Sequence, residues 1–309
     1  AHSIFNVGSF FSGGAFDSGG AAKLAGFYYK PILLVVLSSW YMIVGPNPGA
    51  FHLLQILIHV LNAFLVFILF KKFFLRGLAV GLGLLFLVHP ANVEAVIYTS
   101  GIQEPIFLFF GLIALLGRIY FPINGRTNVL VTAGLLLALL SKETGILFAV
   151  ILCIHNFLFD KGRGWQQNAI IVAAVVGVYS FLRFLVAGVY FSSQPVAPII
   201  ALGLIDRLMN LPKILLVNLQ TIFFPKELAF AQNWIVKTPD LPNFFLPVIV
   251  CLGFIGLLVW LFIKLRKDHK VAGVFLFSGI WAAVGITVHL QLMPLDGAFS
   301  ERWLYLLLI

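Results

Sequence analysis

The stretch FHLLQILIHVLNAFLVFILFKK at 51–72 decides the class of this protein. Its first twenty residues carry no Asp, Glu, Lys or Arg, and two lysines close it. About twenty apolar residues, at 1.5 Å rise each, cross the hydrocarbon core of a bilayer. Working outward, similar apolar segments fall at 27–44, 77–89, 100–118, 127–140, 144–159, 168–190, 205–224, 243–263, 271–292 and from 303 onward. Gly45-Pro46-Asn47-Pro48-Gly49, His89-Pro90, Gly162-Arg163-Gly164 and Asn243 punctuate them as turn or start signals.

Composition agrees. Of 309 residues, 61% are apolar and 10% charged, against about 25% charged in a soluble domain. Mean hydropathy is +1.06. Soluble globular, disordered and fibrous classes are excluded. The expected fold is all-α, a polytopic transmembrane bundle of about 9–11 hydrophobic segments, because open strand edges have no partners in hydrocarbon. Cys153 and Cys251 both lie in apolar runs, so neither a disulfide framework nor a Cys metal site is expected. The net charge of +9 is scattered between apolar segments and reads as topology, with no nucleic-acid partner. Residue 1 is not Met, and the run from Trp303 to Ile309 stops after seven residues. The chain therefore reads as a fragment cut at both ends.

Four basic clusters set the orientation: Lys71, Lys72 and Arg76; Arg118 and Arg126; Lys161 and Arg163; Lys264, Arg266, Lys267 and Lys270. The bias of Lys and Arg toward short cytoplasmic loops puts these inside. Residues 27–44 and 205–224 then read as juxtamembrane helices on the outer face, the latter carrying Asp206, Arg207, Asn210, Lys213, Asn218 and Gln220. The expected organisation is one membrane domain over 1–309. It comprises 1–50 (end of a first outer loop with a juxtamembrane helix), 51–190 (core spans), 191–242 (outer loop with a juxtamembrane helix) and 243–309 (C-terminal spans).

Ionisable groups at membrane depth point to function by default. His52, Gln55, His59 and Asn62 are spaced 3, 4 and 3, so they share a helix face. The two histidines lie about 10 Å apart along the axis, which suits interhelical hydrogen bonds better than a metal. His89 and Glu94 border the turn after 77–89, with Asn92 as a cap. Ser100 and Gln103 have capping-box spacing, and the helix dipole accounts for Glu104. Ser141-Lys142-Glu143-Thr144-Gly145 is a charged knot between apolar helices, where an ammonium at headgroup depth suits a lipid phosphate. Asp296, Ser300, Glu301 and Arg302 open the last helix, Ser300 as its cap. Arg302 opposes the dipole there unless an anion lies nearby. Outer cations for a phosphate, with Lys213 among them, and carboxylates for a hydroxyl together suggest a lipid-phosphate-dependent transferase.

Tyr28-Tyr29-Lys30-Pro31, Phe51-His52-Leu53 through His59-Val60-Leu61-Asn62, His89-Pro90 with Val93-Glu94, Leu140-Ser141-Lys142-Glu143 and Ser300-Glu301-Arg302-Trp303-Leu304-Tyr305 occur in this order. The ordered set resembles the GT-C superfamily of membrane glycosyltransferases. Within it, the chain is most similar to the O-mannosyltransferase-like membrane domain of transmembrane and tetratricopeptide-repeat proteins and to bacterial relatives. The resemblance implies transfer of mannose or a similar hexose from a polyprenyl-phosphate donor to a protein or glycan acceptor hydroxyl on the non-cytoplasmic face. It implies that Lys142, Arg302 and Lys30 hold the carrier phosphate and that His89, Glu94, Glu143 and Glu301 line the cavity.

The family's acidic base is expected upstream of residue 1; Asp17 does not match its motif, leaving Glu94 and Glu143 as the substitutes present. Lys30 stands where relatives commonly show Arg, and Gln103-Glu104 where an Arg-Lys-Asp-like run is common. No cofactor is called for, and a divalent metal lacks support because no suitably spaced carboxylate cluster is visible. The setting is a bacterial or archaeal cell membrane, or the endoplasmic reticulum membrane if the chain is eukaryotic. The competing reading is a multi-span transporter or flippase of a lipid-linked or anionic substrate, which the lack of internal symmetry disfavours.

Overall fold

The computed structural model describes residues 7–15, 28–190, 198–230, 232–292, 295 and 297–309. Asp17 and Asp296 lie outside the described residues. The helices are α1 (Val7–Phe11), α2 (Pro31–Val44), α3 (Pro48–Lys71), α4 (Arg76–Val88), α5 (Val93–Ile97), α6 (Gln103–Tyr120), α7 (Gly125–Ser141), α8 (Ile146–Phe159), α9 (Trp165–Ser180), α10 (Leu204–Phe223), α11 (Leu246–Leu265) and α12 (His269–Thr287). A π-helical turn, Phe181–Val186, extends α9. Among the described residues, five helical stretches are long and apolar enough to span: Pro48–Lys71, Thr99–Tyr120, Trp165–Val186, Leu241–Leu265 and His269–Thr287. A sixth arises if the bent pair Arg76–Val88 and Pro90–Ile97 is one span. The chain is a multi-pass helical membrane protein.

Local chemistry sets the boundaries. Pro48 occupies the first turn of α3, where its missing N–H has no intrahelical bond to make. Asn47 caps the same helix through the Ala50 N–H, Asn124 caps α7 through Thr127, and Asp268 caps α12 through Lys270 and Val271. α2 has only 14 residues, about 21 Å of helix, short of a hydrocarbon core. α10 has 20 residues but is absent from the span-forming set, its polar positions lowering its hydropathy.

The expected capping box does not form. Ser100 sits in a 3₁₀ turn, Thr99–Gly101, and α6 starts at Gln103 behind an uncapped Ile102. Pro105, with no N–H to give, fits only the first turn of a helix, which fixes that start.

The chain divides into two compact units, Ala1–His89 with Ala95–Ser192 and Pro90–Glu94 with Ser193–Ile309. In the first, α6 packs on α3 and α7, α3 on α4, and α9 on α7 and α8. The polar stripe of α3 faces inward: Gln55 Nε2 donates to the Tyr98 carbonyl (2.9 Å) and Asn62 Nδ2 to that of Pro105 (2.9 Å). His59 Nε2 lies 3.0 Å from the Leu87 carbonyl oxygen. These are the interhelical bonds the spacing suggests. In the second unit α10 packs on α11, and α11 on α12. The Pro90–Asn92 turn lies against the 3₁₀ turn Glu301–Tyr305, around a core of Ala91, Phe299 and Leu304.

Candidate functional site: buried carboxylate–cation clusters

In the first unit the charged knot is folded by close backbone approach. A Cβ on Gly145 would stand 2.5 Å from the Ala138 carbonyl, so only glycine lets the turn return onto the end of α7. Lys142 is thereby turned inward, 9% exposed, with Nζ 2.5 Å from Glu104 Oε1 and 5.4 Å from the Phe107 ring centre. Glu104, in the first turn of α6, is 1% exposed. A charge at that depth costs several kcal/mol unless paired, and the pairing satisfies both groups.

Glu143 turns to other partners. Its Oε1 accepts from Arg183 Nη1 at 3.0 Å and from the Tyr29 N–H at 3.4 Å. Arg183, on the π-helical turn, also donates to the Tyr179 hydroxyl (2.8 Å) and the Val189 carbonyl (3.2 Å). The Tyr29 and Tyr179 rings lie 5.9 Å apart, and burial pushes the Tyr29 hydroxyl up to about 12. Lys30, buried beside Tyr29, places its ammonium 4.1 Å from the Tyr28 ring centre.

In the second unit Glu94 is the hub. Its carboxylate accepts from Ser300 Oγ at 2.7 and 2.8 Å, from the Arg302 N–H at 3.0 Å and from Arg302 Nη1 at 3.1 Å. Glu94 and Ser300 are buried, and the Arg302 guanidinium lies 5.9 Å from the Phe230 ring centre. Glu301 accepts from the Ala229 N–H. Burial, offset in part by that bond and reinforced by Glu94, holds its carboxyl at about 7, above the usual 4.5. Ser300 is not the expected helix cap: a hydroxyl gains more from a buried carboxylate than from a neutral backbone group. Among the described residues no group of three His, Cys, Asp or Glu is placed to hold a metal ion.

Over 164 residues the chain is 26% identical to protein O-mannosyl-transferase F38B6.6 of Caenorhabditis elegans, covering 52% of this chain and 23% of that protein. It is 28% identical over 141 residues to protein O-mannosyl-transferase TMTC3 of Homo sapiens, covering 43% and 15%. To protein O-mannosyl-transferase Tmtc1 of Drosophila melanogaster it is 30% identical over 157 residues, covering 50% and 18%. Over about half its length the chain is similar to protein O-mannosyl-transferases. It spans less than a quarter of the length of these relatives. No family model matches, and no solved structure matches. These relatives are animal proteins and lend no support to a bacterial or archaeal setting.

In the fold the residues singled out from sequence fall into separate groups. Glu94 and Arg302 are brought together, with Ser300 between them and Glu301 adjacent. Lys142 and Arg302 belong to different units, and each is held by its own carboxylate. His89 is half-buried at the end of α4. Glu104 has a larger part than its helix-dipole reading gave it, since it is the counter-ion of Lys142. Arg183 was missed: it follows an apolar run at residue 183 with no motif around it, and only the fold brings it to Glu143.

Proposed function

We propose that this chain forms the membrane part of a glycosyltransferase that moves mannose or a similar hexose from a polyprenyl-phosphate donor to an acceptor hydroxyl on the non-cytoplasmic face. The observation that carries the reading is the likeness to proteins named O-mannosyl-transferases in a multi-pass chain whose quoted motifs fold into buried carboxylate–cation clusters. Such clusters hold oriented charge ready for a charged transition state without reorganisation. In this reading Arg302 offers its planar guanidinium to the donor phosphate, while Glu94 and Ser300 fix its position. In the first unit, Lys142 and Lys30 are the cations proposed for phosphate contact. Glu301 is suited to exchange a proton near neutrality, where a general acid–base group works best. Glu143, tied to Arg183, and His89 are the polar groups that the first unit offers to a sugar or acceptor hydroxyl. If the chain is eukaryotic, the endoplasmic reticulum membrane is its setting.

The test is transfer of labelled mannose from a polyprenyl-phosphate donor by membranes containing the protein. Arg302→Lys keeps the charge and loses the two-pronged geometry; we expect transfer to fall at least about tenfold, in line with one mispositioned charge-assisted contact. Lys142→Arg tests the second cation in the same way. Unchanged transfer in both would remove these residues from the mechanism. Labelled carrier crossing sealed vesicles without any sugar transfer would establish the transporter instead.

A further inference from the structure

The opposite end of α6 carries charge that the proposed transfer leaves unused. Arg118, 5% exposed, ends α6 with Nη2 donating to Asn128 Oδ1 at 3.0 Å. Its Nε and Nη1 are buried and without a hydrogen-bond partner among the described residues. It forms no ion pair with any described carboxylate. Beside it opens a cavity of 430 Å³ lined by Arg118, Ile123, Phe159, Asp160, Lys161 and Arg163, among others. Three cations against one carboxylate leave a net positive bowl.

The bowl is built rather than incidental. Lys161 holds φ at 51° and is followed by Gly162 at 74° and Gly164 at 76°, and a non-glycine residue keeps that conformation only where its surroundings impose it. Asn156 ties the turn together: its Nδ2 donates to the Arg163 carbonyl at 2.5 Å, and its own carbonyl accepts from Gly162 and Asp160. Gly164 lies against Ile123; a Cβ there would stand 2.4 Å from the Ile123 side chain. At the same end Tyr120 and Trp165 are exposed, the residues that mark a membrane–water boundary. Lys72, from another basic cluster, lies 5.6 Å from the Tyr120 ring centre. Three of the four basic clusters thus meet at one level of the first unit, the level that the Lys and Arg bias assigns to the cytoplasmic leaflet with its anionic surface.

We infer that this cavity is a binding site for a phosphate anion, supplied by the headgroup of an anionic phospholipid, with Lys161 and Arg163 as donors and Arg118 as the fixed charge behind them. Each such cation lost should weaken binding about fivefold. Removing two, by Lys161→Gln with Arg163→Gln, should weaken binding about thirtyfold, the equivalent of about 2 kcal/mol. Both side chains are exposed, so the fold is left intact. Asp160→Asn should act in the opposite sense and tighten binding severalfold.

The experiment titrates the purified chain in uncharged detergent with phosphatidylglycerol, phosphatidylcholine or inorganic phosphate, following retained lipid by native mass spectrometry and the thermal midpoint. Saturable retention of phosphatidylglycerol, lost in the double variant and enhanced in Asp160→Asn, is the expected result. Inorganic phosphate giving the same shift at the same concentration would support the anion site and overturn the lipid source. Equal retention of phosphatidylcholine, or variants that bind like the parent, would overturn the site.

Discussion

Among the described residues, both units contain a buried charge that has found its opposite and one that has not. In the first, Lys142 sits on Glu104 at one end of α6, while Arg118, about 21 Å further along that helix, has no ion pair among the described residues. In the second, Glu94 holds Arg302, while the neighbouring Glu301 has a backbone N–H and no ion pair among the described residues. Residue type is therefore a poor guide to what a buried charge does. A paired charge is a fixed structural element whose removal strands its partner. An unpaired one is unfinished, and either loses its charge or awaits a ligand.

The largest effect that could break this contrast is at Lys142. Lys142→Ala leaves Glu104 buried and unpaired, and should cost about 3–5 kcal/mol, measured by denaturant unfolding in detergent. Replacing both, by Lys142→Met with Glu104→Leu, should recover most of that loss. If the single variant were as stable as the parent, the pairing would have no structural weight. Arg302→Ala should cost less, about 1–3 kcal/mol, because Glu94 keeps its bonds from Ser300 and from the backbone of residue 302. The same unfolding measurement ranks the two.

Glu301 sharpens the comparison through pH. Its carboxyl is held at about 7 when folded, against 4.5 ordinarily, so the folded state binds that proton more tightly than the unfolded chain. The contribution is complete below 4.5 and is lost as pH rises through 7. The thermal midpoint of the parent should therefore fall between pH 5 and pH 8 by more than that of Glu301→Gln. Equal falls would show that Glu301 does not titrate in this window. The smallest effect is expected at Arg118. Arg118→Met removes a cation with no ion partner, so in lipid-free detergent stability should change by under about 1 kcal/mol, or rise. A loss as large as that at Lys142 would erase the distinction between the two ends of α6.

Much of the fold was legible in the chain because the bilayer imposes it. A segment such as 51–70 has one way to satisfy its backbone in hydrocarbon, so composition and length read out helices directly. The inward stripe of α3 followed from a period of 3.6, and the quoted motifs contain Glu94, Lys142 and Arg302, which the fold holds in buried ion pairs. Partners were another matter. That Glu94 meets Ser300 and Arg302 across more than 200 positions, or Glu143 meets Arg183 across 40, has no periodic trace in sequence. The capping roles assigned to Ser100 and Ser300 failed for the same reason, since a proline and a distant carboxylate each outweighed the local preference. Local sequence governs where helices run because backbone hydrogen bonds close within a few residues. Packing alone governs which charges cancel, because an ion pair depends on distance through space and not along the chain.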